Sequence, residues 1–345
     1  MKPLITTIIP TYRRPKFLQR AIKSVLNQTY PHFQVCVYDN ASGDETRDVV
    51  AKLSQREPRI KYHCHSENIG ALANVNYGLE RVDTPFFSYL SDDDILLPKF
   101  YEIALEGFEK NPEAIFSSTL TLNSDDQDNI WWDSSSFNWI PGFYQPPEGL
   151  LAILKNGHPS WLGILFRREV IEKVGILDSE VGASADLDLE LRTAAHLPFV
   201  ISLKPGAIYV AHPLSSCRQQ GFYHIWPGEL KMIRNLTEDE RIPADVRAYA
   251  GRVLTERFKK KLYFIGCRSI LRKNFEDTHR VSEFLRNHYH LNIKAFSLST
   301  IAKVCNYFPV VHNFAVFLNK IRKFFLIKKL QYLQKRDILM YIKKL

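Results

Sequence analysis

Cysteine is scarce in this 345-residue chain. The five cysteines, Cys36, Cys64, Cys217, Cys267 and Cys305, are odd in number, scattered and never spaced as Cys-x-x-Cys, which excludes a disulfide framework or a cysteine zinc site. Glycine is missing where many nucleotide enzymes need it. The loop after the first apolar run, Thr11-Tyr12-Arg13-Arg14-Pro15, has none, so neither a Gly-x-Gly-x-x-Gly fingerprint nor a Gly-Lys-Ser/Thr phosphate loop is present. A nucleotidyltransferase, which usually carries a glycine-rich basic loop there, is disfavoured. No uninterrupted apolar run approaches the roughly 18 residues that span a bilayer, and Leu4 to Ile9 is too short for a signal-peptide core. The expected location is the cytoplasm. No recognised RNA- or DNA-binding module is visible, so nucleic acid is not an expected partner.

What is present is a chain of 45% hydrophobic residues, enough for one sizeable core with an appendage. The net charge of +9 hides an asymmetry. Residues 216–345 hold 26 Lys and Arg against 10 Asp and Glu, whereas residues 1–215 hold 20 against 27, so the two parts carry +16 and −7. A split this large points to two tasks, one part meeting metal or substrate and the other an anionic surface.

The acidic part is organised around Phe86-Phe87-Ser88-Tyr89-Leu90, an aromatic and apolar run that ends in Ser91-Asp92-Asp93-Asp94. The run has the composition of a strand covered on both faces, and Pro98 can open the next helix. In an open α/β sheet, ligands bind at the carboxyl ends of strands, where such a cluster can share a divalent cation such as Mg²⁺ or Mn²⁺. A solvated acidic turn is the other reading.

Ahead of this run the pattern alternates. Leu4 to Ile9 reads as a strand halted by Pro10, and Leu18, Ala21, Ile22, Val25 and Leu26 recur at helical spacing. Gln34 to Tyr38 and Arg59 to His63 read as further strands, with a helix from about Glu45 and another bearing Leu72, Val75 and Leu79. That order predicts a doubly wound, mostly parallel sheet. Asp39 falls at a strand end, where it can face a ligand or satisfy the backbone of the Asn40-Ala41-Ser42-Gly43-Asp44 turn. Further on, a helix is expected from Pro98 to Lys110, strands at Ala114 to Leu122 and Trp161 to Phe166, and strand pieces at Val200 to Leu203 and Ala207 to Ala211. The stretch 123–148 carries Trp131, Trp132, Phe137, Trp139, Phe143 and Tyr144 among polar residues. Such rings can stack on sugars or pin the loop to the core. Asp186 stands at the amino end of a helix with Leu187, Leu191, Ala194 and Ala195 on one face, a place that suits a helix-dipole acid.

In this order, Ile9-Pro10-Thr11-Tyr12, Ser24-Val25-Leu26-Asn27-Gln28-Thr29-Tyr30, the Asp39–Asp44 turn, Asn68-Ile69-Gly70, Ser91-Asp92-Asp93-Asp94 and Asp186-Leu187-Asp188-Leu189-Glu190-Leu191-Arg192 resemble the inverting glycosyltransferases of family 2, which adopt the GT-A fold. The resemblance covers roughly residues 4–215. It implies a nucleoside pocket lined by Pro10, Thr11, Tyr12 and Arg14, with Asp39 accepting from a base, most often uracil. Asn68 and Gly70 join the donor-binding set. Asp92 takes the ribose side and Asp93 the Mn²⁺ or Mg²⁺ ion, although the family commonly has Asp where this chain has Ser91. Asp186, where relatives write Glu-Asp and this chain has Ala185-Asp186, inherits the general base. His212 matches a late histidine that approaches the diphosphate or metal. The partners implied are a nucleotide-sugar donor, UDP-linked in most relatives, and a glycan or lipid-linked glycan acceptor.

The expected division is therefore a catalytic domain over 1–215, with a nucleotide-binding half to about residue 97 and an acceptor-binding half after it, and a basic helical region over 216–345. In that region Leu254, Phe258, Leu262, Ile265 and Ile270 recur as one face of a helix. Beyond Phe314, aromatics interleave with Lys320, Arg322, Lys323, Lys328 and Lys329, a pattern suited to the inner face of an anionic membrane, a solvated helical face or a dimer contact. Nothing in the sequence specifies an oligomeric state. Two function classes fit: a metal-assisted sugar transferase in cell-surface polysaccharide biosynthesis, and a non-catalytic sugar-nucleotide or glycan-binding protein on the same fold. A degenerate binder would have no reason to retain both Asp93 and Asp186.

Overall fold

The computed structural model describes residues 4–125, 130–131, 139–211 and 222–322. The first hundred residues alternate as β1 (Ile5–Thr11), α1 (Pro15–Leu26), β2 (Phe33–Asp39), α2 (Thr46–Ser54), β3 (Ile60–Cys64), α3 (Ala71–Leu79) and β4 (Phe86–Tyr89). Strand β2 is buried at all seven positions, which is why Val35, Cys36 and Val37 form an unbroken apolar run instead of alternating with polar residues. Pro15 opens α1, where a missing N–H costs nothing, and Leu18, Ala21, Ile22 and Val25 are fully buried on the face the spacing predicted.

There follow β5 (Ile95–Leu96), α4 (Phe100–Lys110), β6 (Phe116–Asp125), β7 (Ile130–Trp131), β8 (Gly142–Tyr144), α5 (Glu148–Asn156), β9 (Ile164–Arg167), α6 (Glu169–Lys173), α7 (Ala185–His196) and β10 (Phe199–Ala211). The strands form one sheet in the order β3-β2-β1-β4-β9-β6-β10-β5, with β7 on β6 and β8 on β10. Pairs β1/β2, β2/β3, β1/β4 and β6/β10 are parallel.

Two features depart from the pattern in the sequence. Strand β9 runs antiparallel to both β4 and β6, and Trp161–Gly163 ahead of it is a 3₁₀ turn, so the expected strand from Trp161 shortens to its second half. The two pieces around Pro205 join as one long strand, with register shifts between Ile201 and Ala207 because proline has no N–H for the ladder. Of the 123–148 aromatics, Trp139 is buried edge-on against Phe199 and Tyr144, and Phe143 and Tyr144 lie in β8. These rings pin the segment to the sheet. Trp132, Phe137 and the Trp131 side chain lie outside the described residues.

The chain divides into two compact units, Met1–Pro213 with Arg234–Ala250, and Leu214–Ile233 with Gly251–Leu345. Helices α8 (Phe222–Thr237) and α9 (Ala244–Leu271) contribute to both. In the first unit, Asn235 donates to Asp178 and Asp188, and His196 pairs with Asp239 at 2.8 Å, which fixes residues 234–250 against α7. The second unit has its own core of Phe258, Leu262, Val281, Leu285, Ala295 and Leu298, drawn from α9, α10 (Phe275–Tyr289) and α11 (Asn292–Tyr307). A further helix, α12, runs over Pro309–Arg322.

Gly163 marks the tightest approach of the 3₁₀ turn to β6. A Cβ there would lie 2.8 Å from the backbone oxygen of Thr119 and 2.7 Å from Thr121 Oγ1. Gly163→Ala is expected to destabilise the first unit by about 1–3 kcal/mol, because backbone cannot yield as a side chain can. Urea unfolding of wild type and variant checks this; an unchanged midpoint would contradict it.

Candidate active site

Parallel register aligns the strand ends. Thr11 of β1 lies opposite Asp39 of β2, and Asp39 opposite Cys64 of β3, while β4 runs beside β1 and delivers Asp92, Asp93 and Asp94 just past Tyr89. One carboxyl edge therefore collects Thr11, Asp39 and the acidic cluster, at the place where open α/β sheets bind ligands.

All three acids are buried. Arg14 at the start of α1 bridges two of them, Nη1 donating to Asp92 Oδ1 at 3.2 Å and to Asp93 Oδ2 at 2.8 Å. Thr11 Oγ1 donates to Asp92 Oδ2 at 2.8 Å, Arg20 Nη2 to the Asp93 backbone oxygen at 2.6 Å, and the Val210 amide to Asp94 Oδ1 at 2.8 Å. Burial drives Asp92 up to about 6; Arg14 opposes the rise and Asp93 adds to it. Burial, followed by the Asp93 charge, pushes Asp94 well above the usual carboxylate range.

The neighbouring loops interlock. Asp39 Oδ1 accepts from the Ser42 amide and hydroxyl, and its Oδ2 accepts from Tyr62 Oη at 2.6 Å. Asn40 Oδ1 accepts from the Ile69 amide and Asn40 Nδ2 donates to Asn68, whose oxygen also takes the Gly70 amide. Gly70 has φ +90°, a conformation that suits glycine and lets the loop turn into α3. Pro10 is the penultimate residue of β1, and Tyr12 is exposed beside it under the Arg13 guanidinium. The structure therefore brings Thr11, Arg14, Asp92 and Asp93 into direct contact, and groups Asp39, Asn68 and Gly70 through Asn40 and its loop. His212 lies outside the described residues.

Asp186 occupies the first turn of α7, where its Oδ1 accepts from the Leu187 amide at 2.8 Å. Arg192 anchors this helix, donating to Asp188 and to the carbonyls of Val174 and Ile176. Asn76 clasps Leu177 from α3 with both its amide groups. A ring stack, Tyr89 on Trp161 at 4.7 Å, joins the strand that carries the acids to the segment that begins at His158. Three features were invisible in the pattern: the Arg14 bridge, the Tyr62 contact to Asp39, and a His158–Glu190 pair at 3.4 Å. Each links residues with no periodic or motif signal between them.

The family model Glycosyl transferase family 2 matches residues 6–175, a stretch that contains the strand-end loops and the acidic cluster. That stretch belongs to glycosyltransferase family 2. A family relative from Campylobacter jejuni, GalNAc(5)-diNAcBac-PP-undecaprenol beta-1,3-glucosyltransferase, is 38% identical over 96 residues, covering 28% of this chain and 31% of that protein. A chondroitin synthase from Escherichia coli is 30% identical over 138 residues, 40% of this chain and 20% of that one. The aligned stretches thus span a third or less of these relatives. The crystal structure of S. aureus TarS 1-349 in complex with UDP-GlcNAc superposes with a TM-score of 0.63 at 16% identity, over 89% of this chain and 92% of that one. The fold is GT-A.

Family 2 membership raises the question of a metal. Among the described residues no three His, Cys, Asp or Glu side chains converge as a ligand set. Asp92 and Asp93 nevertheless fit a hard divalent cation of the Mg²⁺ type, which is often held by one or two carboxylates and completed by substrate phosphates. Their oxygens are hard donors, and Arg14 already holds one oxygen of each, which keeps the two carboxylates side by side.

The raised Asp92 gives a pH signature. Its folded value, about 6, lies above its unfolded value of about 3.9, so the folded chain holds the extra proton between them and stability falls as pH rises through that window. Removing Arg14 deepens and extends the fall. Arg14→Ala should therefore lose about 3 kcal/mol at alkaline pH and clearly less at about pH 5, where Asp92 is protonated. Urea unfolding across this range checks it, and an equal loss at both ends would contradict the assignment.

Proposed function

We propose that this chain is an inverting glycosyltransferase that moves a sugar from a UDP-linked donor to a hydroxyl of a glycan or lipid-linked glycan, with a divalent cation assisting. The observation that carries the reading is the buried Asp92–Asp93 pair, bridged by Arg14 at the carboxyl edge of a GT-A sheet. Family membership supports it, as do relatives whose names describe a glucosyltransferase on an undecaprenol-linked glycan and a chondroitin synthase. The UDP-GlcNAc complex of the TarS fold neighbour supports a uridine nucleotide donor.

In this reading the Thr11–Asp39–Asn68 loops hold the nucleoside, and Tyr12, exposed at their rim, covers it. Asp93, aided by Asp92, holds the cation, which when bound neutralises charge on the leaving diphosphate. Arg14, already on both carboxylates, keeps them aligned. Asp186 takes the proton from the acceptor hydroxyl as the oxygen attacks the anomeric carbon. A single displacement inverts the configuration, so an α-linked donor yields a β-glycoside. Asp93→Ala should abolish Mn²⁺-dependent UDP binding in calorimetry. Asp186→Asn should retain UDP affinity and lose about 10²–10⁴-fold in turnover, the usual worth of a general base. Undiminished turnover of a folded Asp186→Asn protein would remove that residue from the mechanism.

The second unit supplies a docking surface for an anionic bilayer on the cytoplasmic side. No single described helix is long and apolar enough to cross a membrane, but α11 and α12 meet at a 117° bend and expose apolar side chains on both arms. Ile293 is 86% exposed, Phe296 67%, Val310 81% and Phe314 58%. Lys294, Lys303 and Lys320 are interspersed, so the face pairs apolar insertion with about 1 kcal/mol of attraction to anionic lipid per basic residue. The full-length protein should pellet with phosphatidylglycerol vesicles at low salt, less at high salt and poorly with neutral vesicles. Phe314→Glu with Phe317→Glu should abolish pelleting. Equal pelleting of this variant would assign the face to contacts within or between protein chains.

A further inference from the structure

Glu190 is the most anomalous charged group in the first unit. It lies on α7 one turn beyond Asp186, it is completely buried, and no hydrogen bond reaches either of its carboxylate oxygens. A buried, unpaired carboxylate costs several kcal/mol unless a charge compensates it. The compensating group is His158, in the loop between α5 and β9, whose Nδ1 is 3.4 Å from Glu190 Oε2. The same Nδ1 lies 3.0 Å from the carbonyl oxygen of Pro159, which can only accept, so this nitrogen carries a proton. The remainder of the ring reaches the surface, 41% exposed.

We propose that His158 and Glu190 form a charge pair behind the base, in which a protonated imidazole offsets the buried Glu190 carboxylate one turn from Asp186 and so sets the charge that surrounds Asp186. His158 is thereby a positioning residue, and the inference rests on the reading of Asp186 as the base. The electrostatics agree with the geometry. Partial desolvation lowers the proton affinity of this half-exposed imidazole, but the Glu190 carboxylate and, after it, the Asp186 carboxylate outweigh that and raise His158 to about 9. Burial raises Glu190 to about 7; His158 draws it down and Asp186 pushes it up. The charged groups that act on the imidazole are thus the two acids of α7. The other ion pair of that helix, Asp188 with Arg192, is closed on itself at 2.7 Å and is tied to Asn235 and the Val174 and Ile176 carbonyls.

The coupling must be mutual: if Asp186 feels the imidazolium, His158 must feel Asp186. This is measurable on the full chain without any substrate, by following the ¹⁵N-histidine signals against pH and assigning His158 from its loss in His158→Gln. In the wild type the His158 midpoint is expected near 9, against about 6.5 for an ordinary histidine. Glu190→Gln should return it toward about 6.5, and Asp186→Asn, a change of nearly equal volume at a partly exposed site, should lower it by about half a unit, a threefold loss of proton affinity. A wild-type midpoint at or below about 6.5, or one identical in Asp186→Asn, would overturn the proposal. Turnover separates this from failure of the base. If Asp186→Asn loses turnover while the His158 midpoint stays put, the base stands and the pair falls. If the midpoint shifts but turnover persists, the pair exists but has no role in transfer.

Discussion

Three consecutive carboxylates buried at a strand end repel one another and lose hydration, and the fold exists in this form because other groups offset both costs. The offsets come from separate parts of the chain. Arg14 stands at the first turn of α1, Thr11 ends β1, and the Val210 amide belongs to β10 on the far side of the sheet. Each contact fixes the relative position of two elements, so the electrostatic requirement and the geometry of the sheet edge are one constraint. The compensation is also incomplete, since Asp92 and Asp94 remain raised.

The same physics is resolved differently on α7. Asp188 is fully paired with Arg192 and Asn235 and serves to hold the helix in place. Glu190, two residues on, has His158 as its one ion-pair partner among the described residues. A helix that is rigidly anchored on one side and carries a sparsely compensated acid on the other can present Asp186 in a fixed place while its electrostatic surroundings respond to protonation. Rigidity and tunability are thus assigned to different residues of one helix.

Much of this architecture is legible in residue order. Unbroken apolar runs such as Val35-Cys36-Val37 mark strands buried on both faces, the Leu18–Val25 spacing marks the core face of α1, and a carboxylate cluster after an apolar run marks a strand end. What is hidden depends on pairing across distance. The antiparallel setting of β9 has no local signal, because a short strand of three apolar residues and an arginine fits either direction equally well. Arg14 belongs by resemblance to the nucleoside pocket, yet its guanidinium lies on two acids nearly eighty residues away. His158 and Glu190 are separated by β9 and α6, and no spacing in the sequence ties the one to the other. The aromatic stretch 123–148 is open to sugar stacking or core packing from sequence, and Trp139 and Tyr144 take the second role, against Phe199.

The central claim is that the Asp92–Asp93 edge serves a sugar nucleotide whose diphosphate departs with a divalent cation. It is tested most directly by incubating the purified full-length chain with a panel of UDP-, GDP-, CMP- and dTDP-sugars, with and without Mn²⁺ or Mg²⁺, and measuring free nucleotide. The account predicts release of UDP from at least one UDP-sugar, dependent on the metal and abolished by chelation. Release that is indifferent to metal, or binding of these nucleotides without release from any donor even when glycan and lipid-linked acceptors are supplied, would contradict it.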